Sequence, residues 1–148
     1  MSQRTPYEEA IALLARREYT RSELEERLLR HEHPPEEVSA LLDRLAEDNL
    51  QSDARFVEHF VRSRIARLQG PRKISAELNG RGIDRDTIAQ ALEDSDADWT
   101  TLAVEALKRR FEGPGNDMKA RVKRQRFLAS RGFDGQQCNS AMRLAWSS

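Results

Sequence analysis

Apolar side chains recur three to five residues apart along most of this chain, the spacing that sets them on one side of a helix. Phe56, Phe60, Val61, Ile65 and Leu68 form one such stripe. Gly70-Pro71 ends it, because proline suits the first turn of a following helix and not the interior of a preceding one. Ile74 and Leu78 then share a face of the next helix, and Gly82 stands where a left-handed C-cap favours a residue without Cβ. Upstream, Thr5, Pro6 and Glu8 predict a capping box opening a helix with Tyr7, Ile11 and Leu14 inward. Thr20 with Glu23 predicts a second box, followed by Leu24 and Leu28. The run His31-Glu32-His33-Pro34-Pro35 breaks the chain, and Val38, Leu41, Leu42 and Leu45 line a third helix. No strand-like alternation of useful length interrupts the pattern.

The same pattern returns at a shift of fifty residues. Leu24 and Leu28 correspond to Ile74 and Leu78, while Val38, Leu41 and Leu42 correspond to Ile88, Ala91 and Leu92. A further shift reaches Leu128, Cys138, Ala141 and Met142. Tyr7, Val57 and Leu107, then Ile11, Val61 and Phe111, extend the register into the first helix of each unit. LNGRGIDRDTIAQAL from Leu78 matches LASRGFDGQQCNSAM from Leu128, with Asp84 and Asp134 both placed to N-cap a helix. The reading is all-α: three tandem three-helix repeats, helix-turn-helix-like, at residues 1–51, 52–95 and 96–148. Such units stack into an elongated, curved molecule in which each touches mainly its neighbours. Loops at 49–53, 93–98 and 113–117 join the helices, the last being the loosest.

No apolar run approaches the roughly 18–20 residues of a membrane span, and the N-terminus carries no charged-then-apolar signal. The single cysteine, Cys138, makes no internal disulfide, so the expectation is a soluble cytoplasmic protein without membrane contact. A net charge of zero hides an asymmetry. Residues 1–50 hold 7 basic and 12 acidic side chains, residues 51–100 hold 8 and 9, and residues 101–148 hold 10 and 4. One end of the molecule is therefore basic, suited to phosphate or to an acidic protein.

Candidate chemistry is sparse. His31 and His33 lack an evident third ligand, His59 reads as a partly buried helix residue, and Cys138 occupies a core position of the repeat. No phosphate loop, triad or carboxylate pair stands out, so the reading is a binding protein and not an enzyme, with no cofactor or metal. Basic residues are the remaining signal. Arg62, Arg64 and Arg67 flank the Gly-Pro break, Arg72 and Lys73 occupy the next first turn, and Arg81 follows, with Glu77 the only acid between Arg62 and Arg81. Helix N-termini attract anions and arginine binds phosphate bidentately. A second cluster holds Lys108, Arg109 and Arg110, then Lys119, Arg121, Lys123, Arg124 and Arg126. Either could meet a nucleic-acid backbone without sequence choice. The alternative is a solvated face with local ion pairs such as Glu58 with Arg62.

The segment DARFVEHFVRSRIARLQGPRKISAELNGRGI resembles the central signature of the RecX regulatory proteins of bacteria. The matching residues are Asp53, Phe56, Phe60, Arg62, Gly70, Lys73, Ile74, Glu77, Leu78, Arg81, Gly82 and Ile83. The first unit, with ALLARREYTRSELEERLL and LLDRLAEDNL, is similar to that family's N-terminal part. The third keeps Arg131-Gly132 but has Phe127 where Glu77 stands in the second. The resemblance implies a monomer that binds the RecA recombinase filament on single-stranded DNA, in its groove or at its end. It further implies inhibition of ATP hydrolysis, strand exchange and coprotease activity, and so a role in homologous recombination, DNA repair and the SOS response. Arg62, Arg64, Arg67, Arg72, Lys73 and Arg81 are the candidates for filament or DNA contact, with Lys119, Arg121, Lys123, Arg124 and Arg126 beside them. Two other readings of the residues stay open: an autonomous helix-turn-helix-like DNA binder, and a helical scaffold for another acidic partner.

Overall fold

Nine α-helices and no strand make up residues 4–147, the part of the chain that the computed structural model describes. The outermost residues of the first and third expected units, 1–3 and 148, lie outside the described residues. In chain order the helices are α1 Pro6–Arg16, α2 Arg21–Arg30, α3 Pro35–Glu47, α4 Asp53–Ala66, α5 Pro71–Gly80, α6 Arg85–Asp94, α7 Trp99–Arg110, α8 Met118–Ser130 and α9 Gly135–Leu144. They form three successive three-helix units.

Local chemistry sets the helix starts. Thr20 and Glu23 exchange both bonds of a capping box, the hydroxyl accepting from the Glu23 amide at 3.1 Å and the carboxylate from the Thr20 amide at 3.0 Å. Asp84 and Asp134 cap α6 and α9, accepting from the amides of Thr87 and Gln137 at 2.7 and 2.8 Å. The box expected at Thr5 is half formed. Its hydroxyl accepts from the Glu8 amide at 3.1 Å, and the reciprocal bond is not made.

Each unit closes on its own core. Ala10, Tyr19, Leu24, Leu28, Val38 and Leu42 fill the first, and Phe56, Val57, Phe60, Val61, Ile74 and Leu78 the second. The third is built around Ala103, Ala106, Leu107, Leu128, Phe133, Cys138 and Ala141. Three expected positions differ. Tyr7 is 43% exposed, with Arg44 lying over its ring, because Ala10 is the α1 residue that faces inward. His59 is exposed rather than half-buried. Leu68 does not continue the α4 stripe: α4 stops at Ala66, Leu68 takes a left-handed φ of 59°, and its side chain enters the core of the third unit. Trp99 crosses the same boundary in the other direction, packing on the second core.

The units are joined by one device used twice. The turn between a unit's last two helices seats against the residues that open the second helix of the unit before it. At the first junction Thr20 Oγ1 donates to the Arg81 carbonyl at 2.8 Å, and a Cβ on Gly82 would lie 2.3 Å from Ser22 Cβ. At the second, the amides of Gly70 and Arg72 donate to the carbonyls of Arg131 and Gly132 at 2.7 and 2.9 Å. A Cβ on Gly132 would lie 2.4 Å from Lys73 Cβ. Gly82 and Gly132 have φ of 87° and 100°, so each must cap a helix in a left-handed conformation and also admit a neighbouring unit.

Candidate functional site

The first basic cluster does not form one surface. Arg64 is largely buried; its Nη2 donates to Glu77 Oε2 at 3.3 Å and its guanidinium lies 4.2 Å from the Phe60 ring centroid. Arg81 also lies near the Phe60 ring, 5.3 Å from its centroid, and donates from Nη1 to Glu23 Oε2 across the first junction at 3.0 Å. Both are fastened within the protein. Arg62 is exposed on the α6 side of α4 and pairs with Glu58 at 2.8 Å, the four-residue pair expected from the sequence. Arg67, Arg72 and Lys73 are exposed near the second junction. The start of α5 is no open anion site, because the Gly70 and Arg72 amides already bond to the third unit.

The second cluster is different. Lys119, Arg121, Lys123 and Arg126 are all exposed on α8, and only Leu128 of that helix is fully buried. Arg124 is set apart from them: its Nε donates to the Gly113 carbonyl at 2.8 Å, Nη1 to the Ala120 carbonyl at 2.9 Å, and its guanidinium covers Phe111. It ties the 113–117 loop, expected to be the loosest, onto α8. The first turn of α8 contains no acidic side chain but carries Lys119 and Arg121, although a helix N-terminus disfavours cations. Local stability does not explain that placement, which marks the helix as a functional candidate.

Beside this face runs a groove of about 510 Å³ between α8 and α9. Met118, Val122 and Met142 supply its apolar surface, Gln125 and Asn139 its amides, and Arg121 and Arg143 its charge, with no carboxylate among the lining residues. Met118 is 74% exposed. Arg143 stands outside both basic clusters of the sequence, yet the repeat holds its signal: the same position is Asp43 in the first unit and Glu93 in the second. The reversal of sign is confined to the unit where the basic groove forms.

Other chemistry is accounted for internally. Glu9 receives both His31 Nδ1 and His33 Nε2, the latter at 2.7 Å. Burial raises the Glu9 carboxyl, but the two imidazole hydrogen bonds outweigh it and hold the group below its ordinary value. No group of three or more His, Cys, Asp or Glu side chains is arranged to hold a metal ion among the described residues. Cys138 is buried, and burial followed by the nearby Asp134 charge pushes its thiol up, away from the reactive thiolate. No described helix is long and apolar enough to cross a membrane.

Comparison with known proteins fits these three units one by one. Models of the first, second and third three-helix domains of RecX match residues 7–45, 52–92 and 96–142. The chain belongs to the RecX family. The regulatory protein RecX of Chromohalobacter salexigens is 55% identical over 142 residues, covering 96% of this chain and 93% of its own length. That of Halorhodospira halophila is 42% identical, covering 92% and 85%. The crystal structure of RecX from Lactobacillus salivarius has the same fold, with a TM-score of 0.85 over 95% of this chain and 94% of that one, at 21% identity. The family is thus one of regulatory proteins, and the three-unit helical architecture is common to it at low identity. In this RecX-family chain, the signature residues Phe56, Phe60, Ile74 and Leu78 are core, while Gly82 and Arg81 fasten the first junction.

Proposed function

We propose that this protein is a negative modulator of the RecA recombinase, acting on the RecA filament assembled on single-stranded DNA. Family membership supports the regulatory role, and the observation that carries the nucleic-acid half is the acid-free groove between α8 and α9, with Arg121 and Arg143 on its walls. Exposed cations beside an apolar surface suit a single strand, whose phosphates need charge and whose bases need a nonpolar contact. Three units in series let several modest contacts act together on successive protomers. Arg67, Arg72, Lys73, Lys119, Arg121, Lys123 and Arg126 are exposed and remain the contact candidates, whereas Arg64, Arg81 and Arg124 hold the fold together.

Independent sequence-selective DNA binding is the weaker reading. The last helix of a helix-turn-helix enters the major groove, yet α3 exposes Glu36, Glu37 and Asp43, and α6 exposes Asp86, Glu93 and Asp94. Those charges would face phosphate. The test is RecA ATP hydrolysis on single-stranded DNA, titrated with this protein at two salt concentrations. Inhibition that weakens with salt is the expected result; no inhibition at either salt would remove the regulatory reading for this chain. Inhibition well below equimolar protein would point to filament ends or disassembly, and inhibition only near saturation to groove blocking.

A further inference from the structure

The two junctions join at the same repeat positions but differ in charge. At the first, Glu23 stands between two arginines: its Oε1 lies 3.7 Å from Arg17 Nη1, and its Oε2 accepts from Arg81 Nη1 at 3.0 Å. Fifty residues on, the equivalents of Arg17, Glu23 and Arg81 are Arg67, Lys73 and Arg131. Both arginines are kept, and the acid between them has become a lysine. The fold holds these three positions together. Arg131 Nη2 donates to the Arg67 carbonyl at 3.1 Å, and Lys73 Cβ packs so closely on Gly132 that a Cβ there would lie 2.4 Å away.

Among the described residues no carboxylate pairs with Arg67, Lys73 or Arg131. Acids of the flanking helices are engaged elsewhere: Glu77 of α5 by Arg64, Glu105 of α7 by Arg109, and Asp134 in capping α9. Arg67 and Lys73 are exposed, and the Arg131 bond to Arg67 lies at the surface, so an anion can approach from solvent. Three cations with no acid between them repel one another, and one external anion removes that cost. A phosphodiester suits the position, because its non-bridging oxygens can accept from two arginines and a lysine together. Arg131 is also the C-cap of α8, so a strand that follows the basic face of that helix meets the junction at its end. We infer that a backbone phosphate of single-stranded DNA seats among Arg67, Lys73 and Arg131. It takes the place that the Glu23 carboxylate fills at the first junction, and so fastens the third unit to the second. Side chains hold it; the Gly70 and Arg72 amides stay bonded to the Arg131 and Gly132 carbonyls. The inference rests on the nucleic-acid half of the proposed reading and adds a consequence to it: the stack stiffens when the strand is bound.

The experiment uses the full chain with a labelled oligo-dT strand. Hydrogen exchange at the Gly70 and Arg72 amides is followed by NMR with and without saturating strand, and affinity is measured by anisotropy over a range of salt. In the unmodified chain the strand should slow both amides by about tenfold, because a fastened junction opens less often. Lys73→Glu rebuilds the first junction's arrangement within the second. Its two amides should exchange slowly without DNA, and the strand should slow them no further. Its affinity should fall by about tenfold or more, and its salt slope should flatten by about 1.4 or more, since the new carboxylate also occupies the two arginines. A lysine acting alone would forfeit only ~0.7 of that slope. Amide exchange unmoved by the strand, or a slope change of one contact or less, would overturn the site. Slowing by RecA filaments on single-stranded DNA but not by oligo-dT would also overturn it, and would assign the position to an acidic segment of filament protein. Failure of the unmodified chain to inhibit RecA would sink the regulatory reading alone, because exchange and salt slope with free oligo-dT would still decide the junction.

Discussion

Arg64 carries its charge into a largely buried position between α4 and α5. The Phe60 ring lies under its guanidinium and Glu77 accepts from Nη2. Alanine there would remove the cover from Phe60 and leave Glu77 without its partner. The expected loss is about 1–2 kcal/mol in urea denaturation, from the ion–ring contact and the half-screened hydrogen bond together. Arg72→Ala, at an exposed side chain whose structural bond comes from its backbone amide, should stay within about 0.5 kcal/mol. Equal losses at the two sites would contradict this division of roles. The sequence places Arg64 four residues after Phe60 and Arg72 in a first turn, but names no partner for either. What separates them is a partner: Arg64 reaches an acid thirteen positions away on another helix, and Arg81 one fifty-eight positions away. Composition reports a charge, and only the tertiary arrangement reports whether that charge is free.

At the scale of a helix the sequence is a better guide, since caps and stripes depend on residues within a few positions of one another. Thr20, Asp84 and Asp134 cap as their spacing implies, and the inward residues of α2, α3, α5 and α6 follow from the apolar period. Two of the misreadings fall where a helix end meets another unit. Leu68 continues the α4 period in sequence, but the left-handed turn after Ala66 sends it into the third core. The α5 amides, open to an anion on local grounds, are taken by carbonyls about sixty residues downstream. Helix α8 stands out on local grounds, because it places Lys119 and Arg121 in a first turn. Combining Lys119→Glu with Lys123→Glu should therefore weaken binding without weakening the helix. In fluorescence anisotropy with a labelled oligo-dT strand, the slope of log affinity against log salt should flatten by about 1.4, two phosphate contacts at ~0.7 each. Thermal stability should hold or rise, because a carboxylate in place of the Lys119 ammonium would complement the helix dipole. An unchanged salt slope would take α8 off the path of the strand.

Across the whole molecule, stability depends on whether the units act as one body, and that is decided at the two glycine junctions. The first unit shows what happens without the glycine: Glu32 takes the position of Gly82 and Gly132 with φ of 67°, so a side chain stands where another unit would have to seat. Gly82→Ala would introduce the same obstacle internally, with a Cβ 2.3 Å from Ser22 Cβ and 2.4 Å from its Oγ. Its cost has two parts, about 1 kcal/mol for a left-handed alanine and a further contribution from the clash. Ser22→Gly removes both clashing atoms, leaving the Ser22 Cα position at 3.8 Å as the next contact. The double variant should therefore be more stable than the two single effects predict, with a coupling of about 1 kcal/mol or more. Gly82→Ala alone should also divide a single urea transition into two, as the first unit separates from the others, and Ser22→Gly should restore one transition. Strict additivity with one transition throughout would mean that the glycine serves only to cap α5. The first two units would then be held in line by Asp53, whose carboxylate accepts from the Arg21 amide at 2.8 Å, and by the Arg55–Glu18 pair.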